Sequence, residues 1–221
     1  LTSVQLFAAS HVPETSPYFD RHTDHFTRFA FGARRPLDED VAPRWMARLE
    51  DDIGNLRMTL ERLIEAADAQ RGYAMLGGTW RFFQATGRLD ELELWLERVF
   101  AADVSSGATP ERARGLMARA ALRYWRNDWQ GSAADYEEAL AIAEAGGDPA
   151  LVMDALGGVL ATRANAFVSG FDVGDYREAL ERVRSMAQEQ GDLIQQGYAD
   201  FYDAITTAAA APGSGAPDPD I

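Results

Sequence analysis

One phrase recurs three times along this 221-residue chain, and it limits sharply what the chain can become. The phrase is a short polar turn followed by a large residue: Leu89, Trp129 or Tyr176. Three positions later come Leu92, Ser132 and Ala179. Seven later come Leu96, Tyr136 and Val183, and ten later Val99, Ala139 and Met186. Offsets of three, seven and ten fall on one face of an α-helix. The helices ahead of these turns also echo one another, since Leu76-Gly77-Gly78 returns as Leu156-Gly157-Gly158. Helical hairpins of this kind cannot bury both faces alone, so consecutive units must stack.

Punctuation between the phrases is helical throughout. Ser16-Pro17, Thr109-Pro110 and Asp148-Pro149 each set a capping side chain before a proline at the first helical position, where the missing N–H costs nothing. Asp192 with Gln195 three residues on has the form of a capping box. Gly87, Gly146, Gly147 and Gly191 stand where helices should stop. No run of alternating β-branched residues bounded by tight turns marks a strand. The pattern predicts helices near 2–10, 17–33, 42–69, 72–86, 89–103, 110–126, 129–145, 149–167, 175–190 and 192–209. Gly54 can loosen or kink the long helix over 42–69. The predicted fold is all-α, a TPR-like α-α superhelix: a right-handed solenoid of antiparallel helix hairpins. Its expected divisions are an N-terminal helical adaptor over 1–70, hairpin repeats over 71–209 and a flexible Pro/Gly/Ser-rich tail over 210–221.

The turn Gly-Asp-Tyr at 174–176, with small, aromatic and Ala positions at fixed offsets after it, resembles the second helix of a tetratricopeptide (TPR) hairpin. The spacing departs from the usual 34 or so: it is 40 from Leu89 to Trp129 and 47 from Trp129 to Tyr176. Residues 168–173 therefore read as an insertion. A second resemblance lies in the segment Trp45 to Leu60, which contains Leu49-Glu50-Asp51-Asp52-Ile53-Gly54-Asn55-Leu56-Arg57. It is similar to the phrase that opens the helical-repeat region of large bacterial signal-transducing ATPase transcriptional regulators of LuxR and SARP type. Ser3-Val4-Gln5-Leu6-Phe7-Ala8, Arg21-His22, Phe26 and Phe29-Ala30 match the joining helices of that family. Gly54 departs from it, standing where the family usually has Asp. The resemblance implies a non-enzymatic, cytoplasmic regulatory region. ATP handling and DNA contact would belong to other domains of the same polypeptide, and Leu1, preceded by no Met, fits a piece of a longer chain.

Composition narrows the partners. The formal charge is −14, from 35 acids against 21 bases, and every base is Arg. An acidic chain has no broad basic face for nucleic acid and no attraction to an anionic membrane surface. Without Lys there is no G-x-x-x-x-G-K-[ST] phosphate loop, and without Cys no thiolate zinc site or disulfide. No signal-peptide pattern or stretch of about 18 apolar residues is evident. No cofactor is expected.

Side chains with chemical potential mostly have plain structural readings. Asp20, His22, Asp24 and His25 include metal-donor types, but without H-E-x-x-H spacing they read as a solvated helix face. The acids Asp38-Glu39-Asp40, Glu50-Asp51-Asp52 and Glu137-Glu138 read as polar faces with weak ion pairs. The Gly-Gly pairs read as close helix packing. Most of the aromatics, Trp80 and Trp125 included, read as core. The first helices of TPR-like hairpins line a concave groove, and counting back from Leu89 and Trp129 places Arg81, Gln84, Arg114, Met117 and Tyr124 there. Arg163 and Asn165 follow in the third unit. Guanidinium forks suit carboxylates and phosphates. The groove is thus a candidate site for a protein or peptide partner with an acidic segment, or for a small anionic effector. The competing reading pairs these arginines with acids of the adjoining repeat. The rival function classes are a free-standing TPR adaptor and an enzyme whose site leaves no sequence signature.

Overall fold

The computed structural model describes residues 17–34, 37, 42–105 and 107–211. Among these are ten helices and no strand. They are α1 (Pro17–Gly32), α2 (Ala42–Asp51), α3 (Ile53–Glu65), α4 (Ala69–Ala85), α5 (Leu89–Ala102), α6 (Pro110–Trp125), α7 (Trp129–Gly146), α8 (Pro149–Val168), α9 (Tyr176–Gln190) and α10 (Leu193–Ala210). The predicted helix over 2–10, the Ser16 cap and all but the first two residues of the predicted tail lie outside the described residues.

One turn design separates most of these helices. Ala67, Gly87, Asn127, Gly147, Gly174 and Gly191 all have left-handed φ, between 52° and 103°, and each lies two residues before a helix begins. The residue between is the N-cap. It is Asp at 68, 128, 148, 175 and 192, and each of these carboxylates accepts a backbone N–H of the following first turn. A left-handed residue ends one helix and a carboxylate satisfies the orphan donors of the next, so the chain reverses in two or three residues at five of these six turns. The α8–α9 connection is longer, with seven residues against three at α4–α5 and α6–α7.

Residues 42–69 do not form one helix. The helix is interrupted locally at Asp52 (φ −102°, ψ 9°), two residues before Gly54, although the Asp52 N–H and carbonyl keep their bonds to Arg48 and Leu56, and the chain turns fully at Ala66–Asp68. Consequently α4 starts at Ala69 and not at 72, and Gly72 lies inside it against Val99. The turn escaped the sequence pattern because its left-handed position carries Ala67 in place of glycine.

Packing follows chain order. Helix α1 packs on α3 and α4, α4 on α5 and α6, α6 on α7, α7 on α8, and α8 on α9 and α10. The helices α1, α4, α6, α8 and α10 are thus successive neighbours, with α5, α7 and α9 bridging them from outside. The repeat positions do the burying: Leu92, Ser132, Ala179, Leu96, Val183, Val99 and Ala139 are all buried. Phe26, Leu49, Leu56, Leu60 and Leu63 share a single core with Tyr73, Phe82, Trp95 and Val99, so the N-terminal helices merge with the first hairpin. Ser132 bonds to Thr162 and to the Ala120 carbonyl, joining α7 to α8 and α6. Asp135, 3% exposed, is held by Arg119 and Arg123 across the α6–α7 pair.

On the outside, arginines pair with acids about one repeat away along the chain: Arg57 with Glu91, Arg88 with Glu50, Arg98 with Glu61, Arg126 with Glu93 and Arg182 with Glu144. One described helix, α8, is long and apolar enough to cross a membrane. Half of its apolar window is buried within the stack, against α7, α9 and α10.

Candidate functional site: a cavity between the inner helices

Glycine makes this cavity possible. An added Cβ at Gly78 would stand 2.2 Å from the Ala30 carbonyl oxygen, and one at Gly77 would stand 2.8 Å from the Arg114 Cβ. At Gly158 it would stand 2.1 Å from the Tyr136 ring. The two Gly-Gly pairs, on α4 and α8, therefore let α1 and α6 close on α4 and let Tyr136 reach inward from α7. Between them lies a cavity of about 310 Å³.

Its walls come from every inner helix or the turn after it. Arg34 follows α1, and α4 contributes Trp80 and Arg81. Arg114, Met117, Tyr124 and Trp125 come from α6, Asp154 and Ala161 from α8, and Ile194, Gln195, Tyr198 and Tyr202 from α10. Of the residues predicted for the groove, the structure brings Arg81, Arg114, Met117 and Tyr124 to this one cavity. Gln84 and Arg163 are not among its lining residues. Arg163 donates to Glu137 and to the Asp175 carbonyl, the inter-repeat pairing weighed as the alternative. The Asn165 side chain folds back onto the Ala161 carbonyl.

Charge inside the cavity opposes that of the whole chain. Three arginines, Arg34, Arg81 and Arg114, face one acid, Asp154. Arg34 donates to Asp154 and ties the end of α1 to α8 at the rim. Arg114 is only 12% exposed. Its nearest acids, Glu111 and Asp148, stand at 3.8 and 3.9 Å, beyond good hydrogen-bond length, and its Nε is buried with no hydrogen-bond partner. The Arg81 guanidinium lies 4.6 Å from the centre of the Trp80 ring, and that of Arg114 lies 5.2 Å from the centre of Phe31.

The remaining wall is aromatic. Burial pushes the Tyr124, Tyr136 and Tyr202 phenols above their ordinary range, although the Arg81 charge pulls Tyr136 partly back. All three stay protonated at neutral pH and present O–H groups. No histidine lines the cavity, and its single carboxylate is paired. The sequence pattern missed Trp80, Trp125 and Tyr136, which read as core, and it missed Arg34, Asp154, Tyr198 and Tyr202 altogether. Trp125 is half exposed. The signal that could have found the site was the Gly-Gly echo, 80 residues apart, which marks both sides of the opening.

The metal-donor types near the start are engaged elsewhere. His22 bonds through Nε2 to Asn55, and Asp24 pairs with Arg71. Burial holds the His22 imidazole below its ordinary pKa.

Compared with known proteins, the chain matches no family model, no curated protein and no solved structure.

Proposed function

We propose that this chain is a non-enzymatic sensor and interaction region, a TPR-like superhelix belonging to a bacterial ATPase-type transcriptional regulator. It binds a partner segment or a small effector on the inner face of its helical stack. The observation that carries the reading is the convergence of Arg81, Arg114, Met117 and Tyr124 on one cavity walled by all the inner helices. Binding there favours one arrangement of the stack over another, and the state passes to the ATPase and DNA-binding domains as a population shift. The recurring turns with a left-handed residue and the ladder of inter-repeat ion pairs support the repeat reading. The single, paired carboxylate of the cavity supports binding over acid–base catalysis. The Trp45–Leu60 phrase supports the regulator reading.

The test has two arms. Small anions and acidic peptides are titrated against the chain and against a double Arg81→Ala, Arg114→Ala variant, with heat of binding as the readout. Binding weakened about tenfold or more by the double substitution is expected. Unchanged affinity sinks the groove reading. Independently, the coding sequence upstream of Leu1 should encode a P-loop and a winged helix; their absence leaves the free-standing adaptor.

A further inference from the structure

We infer that the ligand of this cavity is a small aromatic carboxylate, a monoanion whose acid group sits at Arg114 and whose ring lies among the tryptophans and tyrosines. The inference rests on the inner face being a binding site, as proposed above, and adds what it binds.

Size comes first. The volume of about 310 Å³ lies at the small end of small-molecule pockets, roughly 300–1,000 Å³. Helix α10 walls the space on one side with Ile194, Gln195, Tyr198 and Tyr202, and the Arg34–Asp154 pair ties its rim.

Charge comes second. Three arginines against the one acid Asp154 make the lining positive inside a chain of charge −14. Arg114 is the group that lacks a hydrogen-bonded anion, since its acids stop at 3.8 and 3.9 Å and its Nε has no partner. A carboxylate oxygen brought to hydrogen-bond distance completes it. Glu111 and Asp148 remain close enough to repel a dianion, which favours a carboxylate over a phosphate.

Shape comes third. Trp80, Tyr124, Trp125, Tyr136, Tyr198 and Tyr202 make the lining mostly ring surface. A flat aromatic ligand meets such walls by edge and face contacts that a saturated ring cannot reproduce.

Calorimetric titration of the 221-residue chain with phenylacetate, phenylacetamide, cyclohexylacetate, phenyl phosphate and a hexaglutamate peptide tests this. Phenylacetate is expected to bind about tenfold or more tightly than its neutral amide, the scale of one charge-assisted hydrogen bond. It should also bind several-fold more tightly than cyclohexylacetate and phenyl phosphate. Arg114→Gln should shrink the acid-over-amide preference to under about threefold. Ala161→Phe, which fills the cavity and leaves Arg114 in place, should abolish phenylacetate binding, and so checks the assignment even if Arg114→Gln fails to fold. Equal binding of the amide, of the saturated acid or of the phosphate overturns the inference, as does phenylacetate binding that survives Ala161→Phe. Binding of hexaglutamate alone overturns the aromatic-acid assignment and leaves the broader groove reading standing. No binding by any probe overturns both.

Discussion

At the scale of single residues, the same side chain has opposite value at different glycines. Gly78 lies against the backbone of Ala30, which cannot swing away, whereas Gly54 in α3 has nothing within 4 Å of where a Cβ would go. Gly54→Ala should stabilise the chain by roughly 0.5–1 kcal/mol, the ordinary gain of Ala over Gly in a helix. Gly78→Ala should instead cost about 1–3 kcal/mol through overpacking. Urea denaturation of the two variants measures both; a stabilising Gly78→Ala contradicts the close approach of α1 to α4. His22 supplies a residue-scale prediction in pH. Burial keeps its native pKa below the value of about 6.5 in an unfolded chain. The unfolded state therefore takes up the proton first as pH falls. The His22 contribution is whole above about pH 6.5 and is lost as pH drops through the lower native value. Denaturant midpoints at pH 7.5 and 5.5 should show a smaller drop for His22→Gln than for the parent chain.

At the scale of elements, the recurring turn explains both what was legible and what was not. Thr109-Pro110, Asp148-Pro149 and Asp192 are caps on sight, and their side chains accept first-turn N–H groups. Gly87, Gly147 and Gly191 mark stops for the same reason. One turn hides because its left-handed position carries Ala67, and tertiary packing overrides local preference there. The helices on either side of Asn127 remain visible through Trp129 and its offsets. Nothing comparable flags Ala67, so two helices and a turn pass for one. An alanine held left-handed carries strain of about 1–2 kcal/mol, partly offset by the greater unfolded-state freedom of glycine. Ala67→Gly should therefore raise stability by about 0.5–1 kcal/mol, read from the thermal midpoint, while Gly87→Ala should lower it by a similar amount. Gly-Gly pairs inside α4 and α8 look like weak helix positions by propensity alone; the close approach of Ala30 and Tyr136 shows why they are there.

At the scale of the whole molecule, the helical stack was readable and the cavity only in part. Offsets along each helix put Arg81, Arg114, Met117 and Tyr124 on faces set by periodicity, and these four line the cavity. Arg34 and Asp154 lie 120 residues apart in sequence, and only the closure of the stack brings them together. Both are about a quarter to a third exposed, so their bond should be worth no more than about 1 kcal/mol. Asp154→Ala should accordingly leave the thermal midpoint little changed while hydrogen exchange quickens at the end of α1; unchanged exchange there contradicts a tie across the rim. Helix α10 has a larger consequence. It forms one whole wall of the cavity, yet only Ala199 and Thr206 of its residues are fully buried, and Leu193, Ile194, Tyr198 and Phe201 are exposed. The wall is thus the most weakly anchored of the inner helices, and any ligand that touches it helps to hold it. A ligand present at a hundred times its dissociation constant, and bound only when α10 is seated, would add about 2.7 kcal/mol to that seating. Occupancy of the cavity would then be legible from outside as the closed fraction of a single terminal helix.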